Sequence, residues 1–256
     1  MDNDIEQIKE EIRPILASFY KKRQEPFIPG KSKVAVGSPI FDEKEILSVL
    51  ESFLKKQISQ GEYVERFENL FSEYINVKYS VAVNSGTSAN LLAMLALIEN
   101  GKAKTGDEVI VPAATFASVA SPVIQTGLKP VFVDVDKNSY NIDPKEVQKA
   151  ISDKTKVIMP VHSLGNPADI KAVMEIADEK GIYVVEDCCE SHGAEVDGKK
   201  IRAKSFERAS SQGIDQEDFQ LLATSYFEDH PEVKEEFLPE GQFFSPKTIT
   251  VAHFDE

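Results

Sequence analysis

The chain has 256 residues, 41% of them hydrophobic, with 29 Lys and Arg against 43 Asp and Glu for a formal net charge of -14. That apolar content fills one large core or two small ones, and no stretch approaches the roughly 20 consecutive apolar residues of a membrane span. A negative field of this size works against nucleic acid and anionic membranes as partners, although a local site can still hold a phosphorylated ligand.

The start, MDNDIEQIKEEIRP, is charged and helical in pattern, which argues against a secretory leader. Apolar residues at helical spacing predict a first helix over 5–24, with a kink at Pro14. Residues 25–40 are irregular and rich in Pro and Gly. Further helices are predicted over 43–57 and 62–76, so residues 1–76 read as a helical arm.

From Val77 the rhythm changes. Short β-branched runs at 79–83, 108–112, 130–136, 156–161 and 182–187 alternate with helical stretches at about 87–100, 117–126, 144–152 and 168–180. Asp143-Pro144-Lys145-Glu146 marks one helix start: an N-cap acid, a proline at the first helical position and a Glu three after the cap. The alternation predicts an α/β core over 77–200: a three-layer α/β/α sandwich on a mostly parallel sheet. Ligands of such sheets sit at the carboxyl ends of the strands.

After Ile201 the rhythm stops. Residues 201–256 hold 12 acids and 5 bases, a net of -7, and read as a divergent acidic tail.

Several clusters could carry chemistry. Asn84-Ser85-Gly86-Thr87-Ser88-Ala89-Asn90 lies between an apolar run and a helix. Free N–H groups, hydroxyls and the positive helix end make either an anion site or an ordinary N-cap. Phe116 follows the 108–112 run, where a ring could stack on a planar ligand or cap the sheet edge. Asp187 ends an apolar run, so its charge needs a partner: a protonated ring nitrogen, a Lys or Arg, or the N–H groups of the next turn.

Cys188 and Cys189 are the only cysteines. They are adjacent, which suits neither zinc thiolate pairs nor C-x-x-C redox chemistry, and they form no disulfide framework. Inert thiols in a reducing, cytoplasmic setting are expected, with His162 and His192 as structural histidines and no metal. There is no Walker loop, no G-x-G-x-x-G and no G-x-S-x-G.

In order and spacing, five segments resemble the DegT/DnrJ/EryC1/StrS family. They are NSGTSANLLAMLAL, GDEVIVPAATFASVASPVIQTGLKPVFVDVD, YNIDPKEVQKAI, TKVIMPVHSLGNPADI and VVEDCCESHGAEVDGKK. The resemblance covers about residues 25–200. It implies the aspartate-aminotransferase fold, pyridoxal 5'-phosphate (PLP) as cofactor, a nucleotide-linked keto sugar as substrate, glutamate as amino donor, and a homodimer whose sites share residues across the two-fold axis. It implies that Gly86, Thr87 and Ser88 hold the cofactor phosphate, that Phe116 stacks on the pyridine ring and that Asp187 pairs with its nitrogen.

Two departures stand out. Where the family's aminotransferases have Gln three residues after that Asp, near the ring hydroxyl, this chain has Glu190. With the paired cysteines and the LGNP of 164–167, this is more similar to the branch that includes the sugar 3-dehydrases. There a His replaces the Schiff-base lysine and the cofactor works in its amine form. Second, the pattern breaks off after GKK. A similar lysine segment returns only at Phe243–Thr250, which makes Lys247 the candidate catalytic lysine and His253 a weaker stand-in; alternatively Lys247 is a surface residue of an unrelated tail. The family's GEGG-like turn and small C-terminal domain are not found. The functions to be weighed are therefore amino transfer to a sugar nucleotide, loss of its 3-hydroxyl, and a non-catalytic binding role.

Overall fold

The structure is a computed structural model, and it describes residues 2–22, 27–33, 42–77 and 79–201. Lys247 and His253 lie outside the described residues. The chain divides into two compact units, residues 2–65 and residues from 66 onward.

In the first unit, α1 (Asp2–Lys21) runs through Pro14, and α2 (Glu43–Leu54) is closed by a reciprocal capping box. The Lys44 N–H donates to the Asp42 carboxylate at 2.8 Å, and the Glu45 carboxylate accepts the Asp42 N–H at 2.8 Å. Helices α1 and α2 pack together, with Ile5 and Leu47 buried. Lys9 Nζ reaches Glu51 Oε2 at 2.7 Å, and Lys55 Nζ reaches Glu51 Oε1 at 2.8 Å.

The division between units falls within α3 (Glu62–Ile75). The core then alternates α4 (Gly86–Glu99), β1 (Glu108–Pro112), α5 (Ala117–Gln125), β2 (Lys129–Val133), α6 (Pro144–Ala150), β3 (Thr155–Ile158), α7 (Ile170–Lys180) and β4 (Tyr183–Val184). A hairpin of β5 (Glu195–Val196) and β6 (Lys199–Lys200) follows, turned by Asp197 and Gly198, both at positive φ. The sheet order is β2-β1-β3-β4 and every pair is parallel.

Both faces of the sheet are covered because successive strand residues point opposite ways. Val109, Val111, Val157 and Met159 pack with Met94 and Leu97 of α4 and Val119 and Val123 of α5. Ile110 and Ile158 pack on the other side with Val147 of α6 and Ile170, Val173 and Ala177 of α7. This is the expected α/β/α layering. The helix starts follow local chemistry: the Asp143 side chain accepts the Lys145 N–H with Pro144 at the first turn, and Asp169 accepts the Ala172 N–H.

One expected strand does not form. Residues 79–83 pair with no ladder. Their polar groups go to α3 instead: the Ala82 N–H donates to the Glu68 carboxylate at 2.9 Å, and Ser80 pairs with Ser72 through their hydroxyls at 2.8 Å. Other strands are shorter than expected. The run 182–187 holds a ladder only at Tyr183–Val184, with a further isolated parallel bridge from Asp187 to Val161.

Candidate functional site

At the carboxyl end of the sheet, β1 leads into α5 with Phe116 at its N-cap position, and the Ala113 N–H is held by the Val133 carbonyl at 2.8 Å. The Phe116 ring is 78% exposed. It is not a core residue, and a large ring left in solvent beside a strand end suits a planar ligand.

Helix α4 begins at Gly86 after Ser85, whose hydroxyl accepts the Ser88 N–H at 3.2 Å and lies 3.1 Å from the Ser88 hydroxyl. Gly86 is buried, Thr87 exposed and Ser88 half-buried. One N–H of this first turn is capped from within, and Thr87 presents its hydroxyl at the positive end of a 14-residue helix.

Asp187 lies just past β4 and is 2% exposed. Its backbone is fixed in the sheet's continuation, with its N–H on the Pro160 carbonyl at 2.9 Å and its carbonyl accepting the His162 N–H at 3.0 Å. Its carboxylate receives one donor per oxygen: Asn90 Nδ2 on Oδ2 at 2.8 Å and the Cys189 N–H on Oδ1 at 3.0 Å. Among the described residues no lysine, arginine or histidine pairs with this carboxylate. A buried carboxylate with only neutral donors keeps lone-pair capacity for a cation. Of the three partners open to Asp187, an N–H of the next turn is present, and among the described residues a Lys or Arg is not.

The same amide of Asn90 lies 3.3 Å from the Ser118 carbonyl in α5. Asn90 is fully buried, and its Oδ1 has no partner among the described residues. The sequence offered no sign of this residue's place beyond its position one turn after Gly86, because its partner is 97 residues away.

Beside Asp187, Glu186 faces the other way. Its Oε2 lies 2.9 Å from His162 Nε2, and both side chains are buried. Burial works against a charged His162 ring, while hydrogen bonds to Cys188 and Glu186 work for it. The backbone decides between them: Nδ1 accepts the Ala168 N–H at 3.0 Å and so carries no proton, leaving Nε2–H to donate to Glu186. His162 is thus the structural histidine expected from the sequence. Cys188 is buried, and neither it nor Cys189 is in a disulfide.

Glu190 is exposed, and its carboxylate accepts the Leu164 N–H at 2.6 Å. Leu164 sits at positive φ in the short 3-10 turn Ser163–Gly165. Asn141 clamps the same turn, accepting the Ser163 N–H and donating to the Asn166 carbonyl, each at 2.9 Å. Two of the three features that the sequence grouped with the dehydrase branch, Glu190 and LGNP, therefore touch.

The DegT/DnrJ/EryC1/StrS aminotransferase family model matches residues 39–210. GDP-4-keto-6-deoxy-D-mannose 3-dehydratase of Yersinia pseudotuberculosis is 43% identical over 167 residues, which is 64% of this chain and 42% of the relative. GDP-perosamine synthase of Vibrio cholerae is 40% identical over 143 residues, covering 56% of this chain and 38% of the relative. The solved structure of E coli GDP-4-keto-6-deoxy-D-mannose-3-dehydratase with bound hydrated PLP matches with a TM-score of 0.62 at 37% identity, covering 64% of this chain and 43% of that one. The chain spans less than half the length of each of these relatives.

Proposed function

Because this chain belongs to the DegT/DnrJ/EryC1/StrS aminotransferase family, we propose that it forms the PLP-binding part of an enzyme that transfers an amino group, from glutamate, to a nucleotide-linked keto sugar. Such a reaction belongs to cell-surface polysaccharide or deoxysugar synthesis. The carrying observation is Asp187: a carboxylate 2% exposed, held by neutral donors and paired with no cation among the described residues. That donor set fits a protonated pyridine nitrogen.

PLP bound there supplies an electron sink for the charge that develops at the substrate carbon. Gly86, Thr87 and Ser88 bind its phosphate through backbone N–H groups and hydroxyls at the start of α4. Phe116, exposed at the start of α5, would stack on the ring and shield that face from water. Asp187 holds a proton at the ring nitrogen. Lys247 carries the proton to and from the reacting carbon, as a general acid and base. A homodimer completes the site.

The relatives named above include both an aminotransferase-type synthase and a 3-dehydratase. The second reading, loss of the sugar 3-hydroxyl, is supported by the contact of Glu190 with the Leu164 N–H. Purified protein incubated with PLP and dialysed tests all readings together. A visible absorbance band that survives dialysis and disappears in K247A supports amino transfer. Bound cofactor that dialyses away and shows no such band supports dehydration. Absence of any PLP binding overturns both and leaves a non-catalytic binding role.

A further inference from the structure

We propose that Asn90 is a positioning residue for the cofactor site, one carboxamide that sets the place of Asp187 and gives it a neutral donor. The inference rests on the PLP-binding reading above.

Three elements carry the candidate cofactor contacts: α4 with Gly86, Thr87 and Ser88, the start of α5 with Phe116, and the end of β4 with Asp187. Asn90 touches all three. It sits on α4 itself, four residues after Gly86 and so on the same helix face. Its Nδ2 reaches Asp187 Oδ2 at 2.8 Å and lies 3.3 Å from the Ser118 carbonyl, two residues after Phe116. The amide orientation is fixed by its neighbours, since a carboxylate and a carbonyl both require the NH2 side. Asn90 is fully buried, and its Oδ1 has no partner among the described residues.

The type of donor matters as much as its place. A lysine or arginine at this position would satisfy Asp187 outright and compete with a protonated ring. An alanine or leucine would leave Oδ2 without a donor in the core, where a carboxylate is destabilised. An amide donates to the carboxylate without placing a cation beside it. The arrangement therefore suits a ligand that would bring its own proton on a ring nitrogen.

The test uses the full chain and PLP carrying nitrogen-15 in the ring. Wild-type protein should bind PLP and give the chemical shift of a protonated ring nitrogen. N90A should bind about tenfold more weakly, the loss of one hydrogen bond to a charged group, and its nitrogen signal should move toward the neutral ring. N90S, which retains a donor, should recover part of the shift and serves as the comparison should N90A not fold. An unchanged nitrogen signal in both variants, with only thermal stability reduced, overturns the inference and leaves Asn90 a packing residue. Failure of wild-type protein to bind PLP at all overturns the cofactor reading and this inference with it, which separates the two outcomes.

Discussion

Glu51, half-buried, and Asp187, fully buried, are both acids held by donors on each oxygen, and the fold supplies opposite kinds of donor. Glu51, between α1 and α2, has a cation on each oxygen, Lys55 at 2.8 Å and Lys9 at 2.7 Å. Hydrogen bonds from Lys55 and then Lys9 hold its pKa down at about 2. Asp187 is more deeply buried, yet it receives only an asparagine amide and a backbone N–H. An acid that joins two helices is neutralised on the spot. The acid proposed to meet the cofactor is oriented by neutral donors alone.

Glu186 narrows the contrast, since its buried carboxylate also takes a neutral donor, the Nε2–H of His162. H162F removes that donor from a buried carboxylate, which should cost about 1–3 kcal/mol. A urea midpoint that barely moves would mean Glu186 does not depend on His162. D187N should act the other way round. It leaves stability close to wild type but weakens PLP binding about 100-fold, roughly 2.7 kcal/mol, as measured by fluorescence titration. If D187N instead unfolds the chain and spares binding, Asp187 belongs with Glu186 as a structural acid.

The smaller effects sharpen the same line. E190Q should weaken the Leu164 N–H contact by about 1 kcal/mol, seen as faster hydrogen exchange at that single amide. E51Q should cost below about 1 kcal/mol, because the pair partners are partly exposed and screened, and should leave PLP binding untouched. The pH dependence follows from the sign of the shift. The Glu51 pKa is depressed from 4.5 to about 2 on folding, so its contribution is fully present above pH 4.5 and fades as pH falls toward 2. Urea midpoints of wild type and E51Q should therefore differ near neutrality and converge at the acid end.

Much of the architecture was legible. The runs around Val109, Val131, Val157 and Val184 are β-branched and continuous, as buried parallel strands must be, and four of the five expected runs pair in the sheet. The run 79–83 has the same composition but its neighbours are side chains of α3, so propensity alone misassigned it. The Asp197-Gly198 turn between β5 and β6 carries a plain hairpin signal, but two-residue strands are too short for periodicity to reveal.

Of the candidate site, the residue types that follow each strand could be read directly: the hydroxyl-rich start of α4, Phe116, and the acid that ends 182–187. Their chemistry is local, set by a helix end or by burial within a short run. Asn90 was not legible as a partner of Asp187, nor His162 as the partner of Glu186, nor Glu190 as the acceptor for Leu164. Each is a pair separated by 24 to 97 residues, and side-chain periodicity within an element carries no record of which distant element it faces. The sequence alone determined the layers and the order of the strands' carboxyl-end clusters, because hydrophobic spacing and capping act over a few residues. Only the tertiary structure decided which acid meets lysines and which meets neutral donors, because that depends on groups brought together by the packing of whole elements.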